Sequence, residues 1–191
     1  MISKAFKHAY ARKLGKNRKK GATLMETIAV LAIIGMLAAT ALVMWNSANT
    51  SRQTTTALTQ LNQIQTAVRN LYAGQANYTG LSNATLINAK SLQQSMIAST
   101  TSIRHSFSGE VTVTPTTVAG IGGFIVQYDG IPKDACAQLL TKDLGRGVYE
   151  AGTTTAKRTQ TGAQGATLPF PLAAANTACA GTYNTLTWTF I

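Results

Sequence analysis

Lys16-Asn17-Arg18-Lys19-Lys20-Gly21-Ala22-Thr23-Leu24-Met25-Glu26 leads straight into an apolar run from Thr27 to Trp45. Cations come first, then a glycine, a short step from polar to apolar, one acid, and a run of membrane length. Between Thr27 and Trp45 the only polar side chains are Thr27 and Thr40, and no residue is charged. As an α-helix, the segment from Leu24 to Trp45 would extend roughly 33 Å, close to the thickness of a bilayer's hydrocarbon core. Glu26 is the anomaly. An acid at the centre of a membrane helix costs about 2.5–3.5 kcal/mol, and less near an end. A carboxylate kept at that cost calls for a reason.

The charge of the chain divides at the same place. The formal net charge is +11, which at first suggests nucleic acid or an anionic surface as a partner. Of the 17 Lys and Arg residues, however, 8 (Lys4, Lys7, Arg12, Lys13, Lys16, Arg18, Lys19 and Lys20) precede Gly21, where no acid occurs; the other 9 face 6 acids, a net of +3. The basic character belongs to the leader, and a nucleic-acid partner is not expected. Positive residues beside a membrane span hold that side in the cytoplasm, so residues 46–191 are expected to face outward. A conventional secretory signal would have a shorter apolar core with a small-x-small cleavage site after it. Charge and length alone leave a plain membrane anchor open.

Beyond Trp45 the stretch from Asn46 to Gln53 is polar, yet helical periodicity resumes. Ala57, Leu58, Leu61, Ile64, Ala67, Val68, Leu71 and Tyr72 recur at three- and four-residue intervals, one face of an α-helix. Gln60, Asn62, Gln63, Gln65, Arg69 and Asn70 fill the other face. No proline falls between Ala22 and Leu71, and Gly74 supplies a stop. The pattern predicts one helix from about Leu24 to Tyr72, with a flexible break between Asn46 and Thr56 as the alternative. Its first half is apolar all round and needs lipid or copies of itself; its second half needs cover from the rest of the chain. Gly35 and Ala39 form a small-xxx-small pattern that lets a neighbouring helix approach closely.

Gly21 to Glu26, with the basic leader before it and the apolar helix after it, resembles the prepilin processing site of type IV pilins. In that family a dedicated peptidase cuts after the glycine and methylates the new N-terminus, and the acid five residues into the mature chain pairs with the amine of a neighbouring subunit. The resemblance implies cleavage between Gly21 and Ala22, methylation at Ala22, and Glu26 as the assembly carboxylate. Ala22 departs from the phenylalanine common in the type IVa branch. The 21-residue leader and the lack of a helix-breaking proline also resemble the type IVb branch. The expected domains are a removed leader (1–21), a long helix (22–72, with 22–45 for membrane and polymerisation), and a globular head (73–191).

The head reads as α+β. Ala73 to Gly80 is a loop, and Leu81 to Ser99 is partly helical with Leu92, Met96 and Ile97 inward. Gly109 to Pro115 alternates as a strand closed by proline, and Gly123 to Asp129 is a second strand. Pro132 to Leu144 reads as a short helix carrying Cys136, with Leu139, Leu140 and Leu144 inward. Residues 152–167 read as an exposed loop. Thr185 to Ile191 alternates as a last strand, with Leu186, Trp188 and Phe190 on one face. The resemblance implies a four- or five-stranded antiparallel sheet laid on the upper half of the helix. Cys136 and Cys179 both lie in the outward part, where an even count favours one disulfide, the alternative being two independent buried thiols.

Sites for chemistry are thin. His105 is the only histidine beyond the leader, and Arg104-His105-Ser106 has neither an accompanying acid nor a nucleophile elbow. Asp129, Asp134, Asp143 and Glu150 surround the cysteine helix, where Asp134 and Asp143 read equally as helix-end residues. Gly120 to Gly123 precedes a strand and is a turn, not a phosphate cradle. Asn77-Tyr78-Thr79 and Asn83-Ala84-Thr85 match the glycosylation acceptor pattern, too short to weigh. Neither enzyme activity, metal nor cofactor is expected. The chain reads as a structural subunit of a type IVb-like pilus, held in the inner membrane and then assembled into an extracellular filament. The alternative is a low-copy minor pilin or pseudopilin acting as a tip or surface-binding module. Expected partners are copies of the chain, prepilin peptidase, the inner-membrane assembly machinery, membrane lipid before assembly, and a host or partner-cell surface.

Overall fold

The computed structural model describes residues 24–145, 147–160 and 167–191. The chain divides into two compact units between Asn46 and Ser47, and the second, Ser47–Ile191, carries the folded core. Helix α1 spans Leu24–Leu71. Threonine is a poor helix former because its hydroxyl offers the backbone other partners. Here those hydroxyls are turned to the helix's own use. Thr54, Thr55, Thr56, Thr59 and Thr66 each donate to the carbonyl four residues back, at 2.8–3.1 Å. The stretch where a break could have fallen is therefore helical, and Gly74, at φ +84°, follows the helix end.

From Ser47 onward α1 buries Thr54, Ala57, Gln60, Leu61, Ile64, Ala67 and Val68. The apolar members are those the periodicity predicts. Gln60 is a correction: it lies on the covered side, and its Oε1 accepts the Ser106 N–H at 2.9 Å. A buried amide is tolerated when its polar atoms are partnered, and no hydropathy pattern reveals the partner in advance.

The stripe faces a six-stranded antiparallel sheet in the order β1-β2-β3-β6-β4-β5. The strands are β1 (Ile103–Arg104), β2 (Glu110–Val118), β3 (Ile121–Pro132), β4 (Val148–Thr153), β5 (Lys157–Thr159) and β6 (Tyr183–Phe190). The last strand lies in the middle, joining the β1-β2-β3 meander to the β4-β5 hairpin. Residues on one face of the sheet sit in cross-strand rows. Val113, Val126, Trp188 and Ala151 form one row; Pro115, Phe124, Phe190 and Val148 form the next. Such rows put side chains of neighbouring strands in direct contact on one face. Phe124 stacks on Phe190 at 5.0 Å, and Tyr128 meets Trp188 edge-on at 5.2 Å. Small Ala151 beside Trp188 leaves room for the indole.

The sheet exceeds the expected four or five strands because β1 and β5 are edge strands of two and three residues, too short to show a period. Residues 152–167 are not simply a loop: they include the end of β4 and all of β5, while residues 161–166 lie outside the described part. Pro115 does not close its strand. It sits inside β2, opposite Phe124, beyond the reach of β1, where one side of β2 has no strand partner and a missing N–H is tolerated.

Asn83 closes part of that open side. From α2 (Asn83–Asn88) its Nδ2 donates to the Val111 carbonyl at 2.7 Å and its Oδ1 accepts the Val113 N–H at 2.9 Å. One side chain thus makes the two bonds that a neighbouring strand would make. Asn83→Ala would leave the N–H of fully buried Val113 unpaired. A loss of about 1–3 kcal/mol is expected, read as a lower denaturation midpoint at unchanged slope. An unchanged midpoint would mean that the bonds contribute nothing net.

Two short helices complete the head, α3 (Lys133–Leu140) and α4 (Leu172–Ala178), packed on each other. Proline precedes each one, which suits a helix start because proline brings a preset φ and no N–H to satisfy. Leu139 and Leu140 are buried and Leu144 packs against the core, as expected. The helix α4 has no counterpart among the sequence expectations.

Candidate functional site

The first unit, described from Leu24, has no core of its own. Leu24 and Met25 are about four-fifths exposed (80% and 83%), Trp45 is 73% exposed, and every residue from Leu24 to Asn49 is classed as exposed. A monomeric soluble protein seldom exposes a contiguous apolar patch beyond a few hundred Å², so a surface of this kind marks a membrane or a partner. Length and composition make α1 a candidate span. The polar atoms within it are already spent: Thr27 donates its hydroxyl to Leu24 O at 2.8 Å and Thr40 to Leu37 O at 2.9 Å. To a neighbour these threonines present methyl groups and satisfied oxygens.

Glu26 lies in the first turn of α1, where a carboxylate is favoured by the positive end of the helix dipole. No described residue forms an ion pair with it; Lys157 and Glu150, at 2.9 Å, form the pair found among the described residues. A hollow on the helix surface lined by Glu26, Thr27, Val30 and Leu31 lies beside the carboxylate. Gly35 is the second notch. A Cβ built there would meet nothing within 4 Å. Glycine inside a helix costs roughly 1 kcal/mol relative to alanine, and no contact with another described residue offsets that here. Gly21 and Ala22, the expected processing residues, lie outside the described residues, as does Thr23.

In the head, Cys136 of α3 and Cys179, which ends α4, are joined by a disulfide with Cα atoms 5.9 Å apart and 43 residues of separation. Both are fully buried. The disulfide reading therefore holds over two separate thiols.

The residues weighed as possible catalysts have structural partners instead. Asp129 accepts from Gln127 Nε2 at 3.1 Å and from Thr185 Oγ1 at 2.8 Å. Asp143 accepts the Gly145 N–H at 2.8 Å, closing a turn. Ser106 donates its hydroxyl to Gln53 O at 2.7 Å, so it is not aimed at His105 as a nucleophile would be. Burial lowers the His105 pKa from its ordinary value, with its hydrogen bond to Asp129 O and the Asp129 charge opposing. Burial also raises the Tyr128 hydroxyl well above its ordinary range. What the geometry assembles is a covered head and an uncovered apolar helix with one acid.

The family model described as PilS N terminal matches residues 51–191. Over 133 residues the chain is 29% identical to the major structural subunit of bundle-forming pilus from Escherichia coli O127:H6 (strain E2348/69 / EPEC), covering 69% of each protein. It is also 29% identical over 133 residues to the toxin coregulated pilin of Vibrio cholerae, covering 66% of this chain and 58% of that one. The crystal structure of TcpA, a type IV pilin from Vibrio cholerae El Tor biotype, superposes with a TM-score of 0.49 at 17% identity, covering 73% of this chain and 99% of that one.

Proposed function

We propose, since the chain belongs to the PilS N-terminal family of pilins, that it is a structural subunit of a type IVb-like pilus. The first part of α1 holds it in the inner membrane, and the same segment then packs among copies of itself in an extracellular filament serving adhesion, cell–cell contact or conjugation. The observation that carries this reading is the surface from Leu24 to Trp45, apolar and exposed, with Glu26 alone breaking it. That the two curated relatives are named as a major pilus subunit and a pilin supports a filament-building role over a low-copy tip module.

The steps follow from the chemistry of that segment. Residues 1–21 form the leader, with its 8 cations on the cytoplasmic side. Prepilin peptidase cuts between Gly21 and Ala22, which removes charges that would forbid close helix packing and frees an amine at Ala22, the site of methylation. That amine, on the same or a neighbouring subunit, is the counter-ion of Glu26. The apolar helix rests in lipid until the assembly machinery draws it into the filament, where Gly35 lets a neighbouring helix come close. Residues 73–191, covered by their own core, face outward.

Mass spectrometry of surface-sheared protein tests the first step. The mature chain is expected to begin at Ala22 and to contain 170 residues, the full 191 less the 21 removed, with one added methyl group. A mature chain that keeps residues 1–20, or that is cut after Trp45, would overturn the reading.

A further inference from the structure

The connection between β1 and β2 closes on one buried ring. His105 is 3% exposed. Its Nε2 bonds the Asp129 carbonyl at 2.7 Å, and its Nδ1 accepts the Phe107 N–H at 3.1 Å. A carbonyl can only accept and an N–H can only donate, so the two bonds together fix the neutral tautomer with its proton on Nε2. The ring stacks on Tyr128 at 4.8 Å, and the Phe107 ring stands near it at 6.1 Å. Gly109 presses so closely that an added Cβ would collide with the Asp129 carbonyl and with His105 Nε2. Ser108, at φ +64°, completes the turn by donating its N–H to His105 O at 2.8 Å.

The same loop is fastened to α1. Ser106 donates its N–H to Gln60 Oε1 at 2.9 Å and its hydroxyl to Gln53 O at 2.7 Å. On the other side, β3 changes register between Tyr128 and Ile131, with Gly130 at φ +75°, and it is this bend that offers the Asp129 carbonyl to the ring. One imidazole therefore holds three elements together: the β1–β2 loop, the β3 bend and, through the next residue, α1.

We propose that His105 is a pH-sensitive latch: the neutral ring clamps the 105–109 loop against the β3 bend and α1, and protonation in mildly acidic surroundings releases the loop. A proton added at Nδ1 would point at the Phe107 N–H, so two donors would face each other and that bond would be lost. A cation would also be left in a nearly dry site. The groups around the ring do not rescue it. From β3 they are Asp129 and Tyr128. The Asp129 carboxylate is already bonded by Gln127 and Thr185, and the Tyr128 hydroxyl lies 3.4 Å from the Ala57 carbonyl. Arg104 of β1 and Glu110 of β2 flank the loop and are exposed. From α1 the ring's neighbours through the loop are the uncharged Gln53 and Gln60, and from β6 Thr185.

The sign follows from the direction in which burial moves the ring. The folded protein binds this proton less readily than the unfolded chain, whose histidine titrates near 6.5. The latch's contribution is thus complete above that value and is lost as the pH falls through the lower folded value.

Hydrogen exchange on the full chain in detergent micelles at pH 7.5 and pH 5.0, normalised to intrinsic exchange rates, tests this. Protection of the 105–109 amides is expected to fall several-fold on acidification, the ceiling being about thirtyfold for a ring that titrates near 6.5 once released and takes up no proton while latched. In His105→Gln, which puts a neutral amide that cannot be protonated in place of the imidazole, protection is expected to change less than about twofold. Unchanged wild-type protection, or an equal fall in His105→Gln, overturns the proposal. Should that variant not fold, the NMR titration of the wild-type His105 ring decides: a midpoint below 6.5 supports the latch, and one at or above 6.5 overturns it.

Discussion

Glu26→Gln is expected to leave leader cleavage and membrane insertion intact while abolishing filaments or strongly reducing them. Two roles for the carboxylate make different forecasts. Thr23-Leu24-Met25-Glu26 has the spacing of a capping box, in which a hydroxyl and a carboxylate satisfy free amides at a helix start. Losing such a cap costs about 1 kcal/mol of local stability, and the chain would otherwise behave normally. The second role begins from the exposed turn that holds Glu26, surrounded by apolar side chains that assembly would bury. Taken out of water there, the carboxylate needs the amine of Ala22 as its counter-ion. Breaking a buried pair by removing one partner costs on the order of 3–5 kcal/mol, because the other charge is left stranded. At about 1.4 kcal/mol for each factor of ten, that is two to nearly four powers of ten at each subunit addition. Electron micrographs of cells carrying the variant, with the mass of the processed chain as a control, separate the two. Wild-type amounts of pili would reduce Glu26 to a cap and end the assembly mechanism proposed above.

Replacing both cysteines with alanine is expected to destabilise the head by about 4 kcal/mol, the chain-entropy cost released when the 43-residue loop is no longer closed. Alanine is the cleaner probe than serine, because both sites are fully buried and a hydroxyl there would need a partner. A domain of this size has roughly 5–15 kcal/mol of stability, so a large share would go. The melting temperature should fall by on the order of 10 °C. The effect is expected to centre on the region between α3 and α4, because the closed loop contains β4 and the edge strand β5. Exported protein should show no free thiol when titrated under denaturing conditions. An unchanged melting curve would mean that packing alone holds α3 to α4.

What the residues disclosed in advance was set by the length of each pattern. The helix α1 was legible twice over, as an uninterrupted apolar run and then as a stripe at Ala57, Leu61, Ile64 and Val68. Strand β6 announced itself through the alternation of Leu186, Trp188 and Phe190, although nothing in that alternation says that it would lie in the centre of the sheet. Strands β1 and β5 have two and three residues and owe their form to neighbours, Ile103 to Val111 and Arg158 to Ala151. Helix α4, from Leu172 to Ala178, is mostly alanine and gives no amphipathic signal; its partner α3 and the disulfide hold it. Pro115 read as a stop because a local rule knows nothing of which side of a strand is open. Gln60 misled in a related way, and His105 gave no sign of its role. Each polar group found its partner far along the chain, Ser106 for the first and Asp129 for the second, and pairing at such range leaves no periodic trace. The segment proposed for assembly is read from chemistry written in consecutive residues, Gly21 to Trp45.

The pairing of Asn83 with the outer side of β2 matters beyond the stability of one head. Subunits joined through their helices, as proposed above, would keep their heads beside one another at effective concentrations in the millimolar range, as for any tethered pair. Under such crowding a bare run of backbone N–H and C=O groups is a template, and β-rich edges then fuse into aggregates of great stability. In this chain the run is interrupted from Glu110 to Pro115: β1 covers Glu110 and Val111, the Asn83 amide takes Val111 and Val113, and Pro115 follows with no N–H to offer. The head is thereby a poor seed for its own fusion. In the filament proposed above, such heads would stack as separate folded objects and leave the order of the array to the helices.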